Sequence, residues 1–179
     1  MRAVRVLVVA VVLALLGLLV WDVANGSGDH VAKDVDRGEV VQAPNFTLPR
    51  LNGDGKLALA SLRGRVVVLN FWQSYCPPCK REARDLAAAH AHWSKKGVVF
   101  VGIDVQDFKG PAREFMQRYG ITYTVVRDGA GSTLGHYGVT GFPETFFVDR
   151  SGRVVPPHIL GIASRRELDD GIRRALKST

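Results

Sequence analysis

The sequence predicts an α/β domain in which a mixed β-sheet is flanked by helices, preceded by an apolar N-terminal segment. Three observations predict it. Strand-like and helix-like segments alternate in the middle of the chain, two strand-like segments and an amphipathic helix end it, and the strand-like runs are almost continuously apolar. Continuous apolar strands are typical of a sheet covered on both faces. The chain of 179 residues is long enough for one such domain with a sizeable core.

The N-terminal segment predicts a membrane anchor. Arg2 and Arg5 precede an uncharged run of sixteen residues, 6–21. Positive charge before an apolar run predicts that the N-terminus stays inside and the rest of the chain lies outside the cytoplasm. The run is slightly short for about 30 Å of hydrocarbon, but Arg5 can extend to the headgroups and Trp21 can lie at the interface. We therefore expect a single-pass signal-anchor over residues 1–24 in the cell membrane, with a cleaved signal peptide as the alternative.

The segment after the anchor is polar and glycine-bearing, so residues 25–42 are predicted to form a flexible tether. The folded domain is predicted over residues 43–179. Apolar residues at 46–48 and 57–59 flank the sequence Asn-Gly-Asp-Gly at 52–55. Glycine and asparagine between two short apolar runs are typical of a hairpin turn, which predicts an N-terminal hairpin extension of the domain.

The remaining elements follow from the periodicity of their apolar residues and from their end signals. Gly120 suits a helix C-cap, and Ser164 suits the N-cap of a last helix whose apolar residues recur every four positions. The predicted elements are a helical turn at 61–64, strands at 65–72, 98–104, 123–127, 144–149 and 153–162, and helices at 80–96, 111–119, 132–137 and after 164.

The two cysteines of the chain form one motif, Cys76-Pro-Pro-Cys79, between a predicted strand and a predicted helix. The partial positive charge of a helix N-terminus favours thiolate, so the motif predicts a redox-active dithiol. Cys76 is expected to be the exposed attacking thiol and Cys79 the more buried resolving thiol. A zinc site is disfavoured because His90 and His92 lie about 16 Å or more along the same helix. A purely structural disulfide is disfavoured because so small a loop stabilises little.

The stretch at 71–80, FWQSYCPPCK, resembles the active-site stretch of the thioredoxin superfamily. The wider chain resembles the membrane-anchored TlpA/ResA/CcmG group of extracytoplasmic thioredoxin-like proteins. This resemblance rests on the N-terminal segment, on 60–72, on an extra segment between strands at 104–126, and on GFPETFFVD at 141–149. It covers about 44–176 and implies a thioredoxin-like fold with a central insertion, without a bound cofactor, that exchanges disulfides with partner proteins. Apocytochrome c, through cytochrome c maturation, is the substrate that the ResA and CcmG members imply.

The resemblance also assigns a substrate groove. In thioredoxin-like folds the proline that matches Pro143 is cis, faces the dithiol and leaves nearby backbone groups free for an extended substrate. Phe142 and Pro143 are therefore expected to line the groove, Trp72 to shield the dithiol, and Tyr75 to supply an aromatic platform where most relatives have tryptophan. From the residues alone, Pro143 also fits an edge strand with a trans bond, and Trp72 also fits plain core packing.

Two acidic residues are candidate members of the site. Asn70 stands where cytosolic thioredoxins have a buried aspartate that moves protons for the resolving cysteine, and it cannot titrate. Glu82, at a position where some group members have glutamate, is expected to raise the pKa of the Cys79 thiol as a like charge. An ordinary first-turn acid that compensates the helix dipole is the alternative. Glu144 is the second candidate, because CcmG-like members have glutamate there. His136 and His158 are interpreted as surface or packing residues.

The sequence favours a disulfide reductase over three other functions. Its net charge of +7 comes from dispersed basic residues, so nucleic-acid binding is not expected. It has no flavin or nicotinamide motif, so a membrane electron-donor protein is expected to re-reduce it. A disulfide-forming oxidase remains the alternative because the two prolines do not fix the reduction potential. A peroxiredoxin-type peroxidase would need threonine in place of Gln73, and copper-delivering relatives separate their cysteines by three residues.

Overall fold

The computed structural model describes residues 12–17 and 31–178. Its elements from residue 31 are, in order, α1 (Val31–Asp36), β1 (Val41–Gln42), β2 (Thr47–Pro49), β3 (Lys56–Ala58), a 3-10 helix (Leu59–Leu62), β4 (Val67–Trp72), α2 (Pro77–Trp93), a second 3-10 helix (Ser94–Lys96), β5 (Val99–Val105), α3 (Lys109–Tyr119), β6 (Thr124–Asp128), α4 (Ser132–Tyr137), β7 (Glu144–Val148), β8 (Arg153–Leu160) and α5 (Arg165–Lys177). Residues 12–17 are helical. Within these two ranges no helix combines the length and apolarity that crossing a bilayer requires. The rest of the predicted anchor lies outside the described residues.

Six strands form one mixed sheet in the order β1-β8-β7-β4-β5-β6. β4 pairs in parallel with β5 and antiparallel with β7, while β5 pairs in parallel with β6. Every residue of the central strand β4 is buried, which explains its uninterrupted apolar sequence. β2 and β3 form a separate antiparallel hairpin. The mixed sheet and the N-terminal hairpin are therefore both confirmed.

The sheet separates two apolar cores. On one face α2, α3 and α5 cover a core that includes Val68, Leu86, Phe115, Phe147 and Ile172. On the other face α1, α4 and the hairpin cover a core that includes Val35, Leu57, Leu69, Tyr137 and Phe146. α5 approaches the sheet so closely at Gly171 that a Cβ there would overlap the Phe147 ring, so only glycine fits this contact. The dithiol helix α2 belongs to the first core, which places both sulfurs on that face.

The predicted tether over 25–42 is wrong from Val31 onward. α1 buries Val31, Ala32 and Val35 against the second core, and β1 adds an antiparallel edge strand to β8. Residues at positions i, i+1 and i+4 lie on one helix face, and this short apolar face is easily overlooked among the charged residues around it. Among the described residues the domain thus begins at Val31, not at residue 43, and 25–30 lie outside the described part.

The helix ends follow ordinary capping rules. α2 begins at Pro77 rather than at residue 80, because prolines in a first helical turn lack only N–H groups that have no helical partner there. α3 ends at Gly120, which has a φ of 67°. The side chain of Ser164 accepts a hydrogen bond from the backbone N–H of Glu167, and Glu167 accepts in return from the backbone of Ser164. The predicted caps at Gly120 and Ser164 are confirmed.

Candidate active site

The two cysteines form a disulfide at the N-terminus of α2. Cys76 is the N-cap residue, and its Sγ accepts a hydrogen bond of 3.1 Å from the backbone N–H of Cys79. After reduction this N–H and the helix dipole favour a thiolate on Cys76. Cys76 is 7% exposed and Cys79 is 1% exposed. Cys76 is therefore more exposed than Cys79, as expected. The expectation that Cys76 is an exposed residue is wrong, because it is buried.

The loop that carries the chain from β4 to the disulfide is held by Asp107. Its Oδ2 accepts a hydrogen bond of 2.6 Å from the backbone N–H of Ser74, and its backbone carbonyl accepts one of 2.7 Å from Nη2 of Arg127. The sequence does not single out Asp107. No local pattern could have indicated it, because the contact depends on the parallel register that sets Trp72 beside Asp104.

Asp104 is a buried acid on the same two strands. It is fully buried, and neither of its carboxyl oxygens has a partner with hydrogen-bond geometry within the described structure. Burial, together with the negative charge of Asp107, raises the pKa of Asp104 to about 8. The sequence did not single out this residue, since an aspartate at the end of a strand ordinarily faces solvent.

The Phe142-Pro143 peptide bond is cis and lies against the disulfide, as expected from the resemblance. The carbonyl oxygen of Phe142 is 3.5 Å from Sγ of Cys76. The carbonyl oxygen of Pro143 accepts a hydrogen bond of 2.9 Å from the backbone N–H of Gly161, which fixes this loop to the end of β8. Pro143 is buried and Phe142 is half-buried. The structure thus brings the peptide bond between the two predicted groove residues next to Sγ of Cys76.

Glu82 lies inside the core rather than on the helix surface. It is 1% exposed, its Oε1 accepts from Nδ2 of Asn70 and its Oε2 from the backbone N–H of Ala163, both at 2.8 Å. Burial raises the pKa of Glu82 to about 7, and the two hydrogen bonds only partly oppose this. Glu82 and Cys79 line the same small internal cavity. The alternative of a first-turn acid that compensates the helix dipole is therefore wrong.

Glu144 is also buried, but it has many more partners. Its Oε1 accepts from the backbone N–H groups of Thr140 and Gly141, at 2.8 and 2.9 Å, and from the Thr140 hydroxyl at 3.2 Å. Its Oε2 faces Nε2 of His158 at 3.0 Å. Glu144 therefore reaches the dithiol only through the loop that it holds. His158 packs as expected, but it also contacts two carboxylates, which the sequence analysis did not foresee.

The aromatic residues near the dithiol divide into a buried one and an exposed one. Trp72 is 2% exposed and stacks on Phe115, with 4.5 Å between the ring centroids. The ring is enclosed by the core beside Cys79, a position that fits both shielding of the dithiol and plain core packing. Tyr75 is 58% exposed beside Cys76 and remains a candidate for contact with a partner. Other large apolar side chains are exposed at the N-cap of α3, at the end of β8 and just after it, namely Phe108, Leu160 and Ile162.

Comparison with known proteins agrees with this geometry. The model of the AhpC/TSA family matches residues 41–156. The thiol-disulfide oxidoreductase ResA of Bacillus subtilis is 32% identical over 152 residues, which cover 85% of this chain and 81% of that protein. ResA of Geobacillus thermodenitrificans is 33% identical over 150 residues, covering 84% and 82%. The crystal structure of a putative thiol:disulfide interchange protein DsbE from Chlorobium tepidum superposes with a TM-score of 0.68 at 31% identity, covering 75% of this chain and 95% of that one.

The fold, the disulfide and these similarities define a protein disulfide oxidoreductase with a thioredoxin-like fold. The cis-proline loop and the helix N-terminus meet at the disulfide of this enzyme. The chain belongs to the AhpC/TSA family and, within it, to the thiol–disulfide oxidoreductases similar to ResA.

Proposed function

We propose that the protein is a membrane-anchored, extracytoplasmic disulfide reductase whose substrates are disulfide-bonded proteins, apocytochrome c in particular. The observation that carries the direction of electron flow is the buried carboxyl group of Glu82 beside Cys79. A strong oxidant stabilises its reduced form through low thiol pKa values. A carboxylate in the cavity of Cys79 disfavours a thiolate there, and so it disfavours an oxidising potential.

The Phe142 carbonyl group supports the same direction. Its oxygen, the negative end of the carbonyl dipole, lies 3.5 Å from Sγ of Cys76. This contact partly opposes the stabilisation of a Cys76 thiolate by the helix N-terminus. The dipeptide between the cysteines consists of prolines and supplies no N–H group or positive charge to a thiolate. The reduced dithiol is thus less stabilised than in a site designed to oxidise.

The exchange proceeds in two steps. The Cys76 thiolate attacks one sulfur of the partner's disulfide, so that a mixed disulfide forms and the other partner sulfur leaves as a thiolate. Cys79 then loses its proton and attacks Sγ of Cys76, which restores the disulfide of the enzyme and releases the second partner thiolate. Glu82, whose pKa of about 7 suits proton exchange near neutral pH, accepts the Cys79 proton. Asn70 cannot do this, but it orients the Glu82 carboxyl group.

The location rests on the N-terminal sequence. Arg2 and Arg5 precede the uncharged run 6–21, which supports an anchor with the domain outside the cytoplasm. The choice of apocytochrome c rests on the resemblance to the ResA and CcmG members, and the exposed apolar side chains of Tyr75 and Phe108 suit an unfolded polypeptide. A membrane electron-donor protein is the proposed source of electrons, since the chain has no flavin or nicotinamide motif.

A redox titration of the full-length chain tests the direction. We expect a potential in the range of thioredoxin, about −270 mV, whereas a value near about −120 mV would show an oxidase. Expression of Cys79→Ser in cells then tests the substrate, because this variant cannot resolve its mixed disulfides. Apocytochrome c among the trapped proteins would support the proposal. A reducing potential with only other proteins trapped would overturn the substrate and leave the reductase. The double variant Cys76→Ser/Cys79→Ser controls for non-covalent capture.

A further inference from the structure

We infer that His158 is a positioning residue for disulfide exchange: clamped between Asp36 and Glu144, it holds the loop 140–143 against Cys76. The inference concerns the exchange itself, so it holds whichever way electrons flow. It also ties the active site to α1, the first described element of the domain.

The contacts of His158 form a continuous chain across three elements. Nδ1 lies 3.1 Å from Oδ1 of Asp36 in α1, and Nε2 lies 3.0 Å from Oε2 of Glu144 in β7. The ring stacks on Phe146, with 4.4 Å between centroids and 16° between planes. The His158 side chain is 4% exposed, so these three groups fix both the position and the orientation of the ring.

The geometry selects the charged form of His158. Each ring nitrogen faces a carboxylate oxygen, and a carboxylate only accepts hydrogen bonds. A neutral imidazole carries a single N–H, so its second nitrogen would place a lone pair against an oxygen lone pair. The imidazolium instead donates to Asp36 and to Glu144 at once, as two charge-assisted hydrogen bonds.

The environment of His158 on the other elements agrees with this assignment. α1 supplies Asp36 and β7 supplies Glu144, β1 contains no titratable residue, and α5 packs on the opposite face of the sheet. Burial alone lowers the pKa of His158, but the hydrogen bonds and charges of Glu144 and Asp36 outweigh it, so the pKa is raised. Both hydrogen bonds of the charged His158 ring are therefore present below the ordinary histidine pKa of about 6.5. The ring no longer makes both of them as the pH rises through its raised pKa.

Glu144 links His158 to the loop that lies against the dithiol. While its Oε2 binds His158, its Oε1 accepts from the backbone N–H groups of Thr140 and Gly141. The next residue is Phe142, whose carbonyl oxygen lies 3.5 Å from Sγ of Cys76. When His158 loses its proton, one oxygen of Glu144 loses its charged donor, and the carboxylate is no longer held in the orientation that fixes the loop. Substrate binding along the loop weakens as a result.

The first test follows the loop directly by NMR of the oxidised full-length chain. We expect the amide signals of Thr140 and Gly141 to shift with pH at the same midpoint as the His158 ring. In His158→Gln these signals lose that transition. Asp36 is more than half exposed, and Asp36→Asn is expected to lower the midpoint because one carboxylate that favours the charged ring is removed.

The second test measures insulin reduction as a function of pH. In the wild type, KM is expected to rise about threefold as His158 loses its proton, the size of effect that one weakened hydrogen bond produces. His158→Gln is expected to show the higher KM at every pH with little change in kcat. His136→Gln is the matched control, because it makes the same change at an exposed histidine and is expected to follow the wild type.

Three outcomes would overturn the inference: amide signals of Thr140 and Gly141 that do not follow His158, a His158→Gln profile identical to the wild type, or an unchanged midpoint in Asp36→Asn. The last of these decides the matter if His158→Gln does not fold, since Asp36→Asn alters only a largely exposed side chain. The second outcome overturns the inference even if His158→Gln is less stable than the wild type.

Discussion

Two buried glutamates lie near the dithiol, and they differ in the number and kind of their partners. Glu82, on the side of Cys79, accepts two hydrogen bonds, from an amide side chain and a backbone N–H, and pairs with no cation among the described residues. Glu144, on the side of Pro143, accepts from two backbone N–H groups, a hydroxyl and His158. We therefore propose that the same residue type at the same burial serves two purposes. With few partners, a buried carboxyl group keeps a proton near neutral pH. With many partners and a cation, it anchors a loop.

Glu82 and Glu144 can contribute to one reaction only if Cys76 and Cys79 form the reacting dithiol. We expect Cys76→Ser to abolish insulin reduction, because the attacking sulfur is absent. Cys79→Ser is expected to react once and stop at the mixed disulfide. Mass spectrometry of the intact adduct checks this. Turnover by Cys76→Ser at the wild-type rate would show that the two roles are wrongly assigned.

Glu82→Gln and Glu144→Gln are expected to slow different steps of the exchange. We expect release from the mixed disulfide to slow by about a hundredfold, the size of a typical general-base contribution, while the first attack by Cys76 changes little. Glu144→Gln is expected to weaken binding and the first attack instead. Rapid-mixing experiments with a disulfide-linked fluorescent peptide resolve the two steps. Glu114→Gln, at an exposed acid on α3, is the matched control.

Glu144→Gln is expected to lower the free energy of unfolding by about 2 kcal/mol, since it leaves buried hydrogen-bond partners unsatisfied. Urea titration monitored by circular dichroism measures this loss. A variant as stable as the wild type would show that the Glu144 network does not anchor the loop.

The pH dependence of stability distinguishes Glu82 further. Burial raises its pKa from 4.5 to about 7, so between these values the native state holds a proton that the unfolded chain has lost. Stability is therefore expected to fall as the pH rises through this window and to level off above it. Glu82→Gln removes this part of the slope, while Asp104→Asn removes a similar part that extends to about pH 8. Denaturant titrations at several pH values check both. An unchanged slope in Glu82→Gln would mean that its carboxyl group is ionised throughout.

The smallest effect is expected from Tyr75, which lies outside both networks. It is exposed and makes no hydrogen bond that the described structure records, so Tyr75→Ala is expected to raise KM for insulin about threefold and to leave kcat and stability nearly unchanged. Michaelis–Menten kinetics measure it. A loss of stability would place Tyr75 in the fold rather than on the surface that meets partners.

Local signals were sufficient to predict most of the fold. The apolar run of β4, the glycine that ends α3 and the cap at Ser164 each act within a few residues, so the sequence displays them directly. α1 was missed because its apolar face is only one turn long. The positions of Cys76 and Pro143 follow from motifs, whereas the degree of burial of Cys76 does not, because it depends on the loop 140–143, which is distant in sequence and lies against the sulfur.

The contacts of the site depend on strand register, which the sequence does not display. Glu144 and His158 lie on the same face of neighbouring strands, and the pairing of Glu144 with Leu160 brings them close. A one-residue shift of that pairing would move His158 to the other face, where it would meet neither carboxylate. Glu82 was recognised by its spacing from the cysteines, yet its burial becomes visible only when α2 lies on the sheet.

The burial of Cys76 has a consequence for its exchange with small molecules in solution. With 7% of this residue accessible, small thiols and oxidants in the surrounding medium collide with the sulfur far less often than with an open disulfide. We expect a protein that binds along the loop 140–143 to bring its own sulfur to Cys76. We expect the protein to exchange disulfides slowly with low-molecular-weight thiols and quickly with its protein partners. The redox state of its dithiol is then set by those partners rather than by small thiols in the medium.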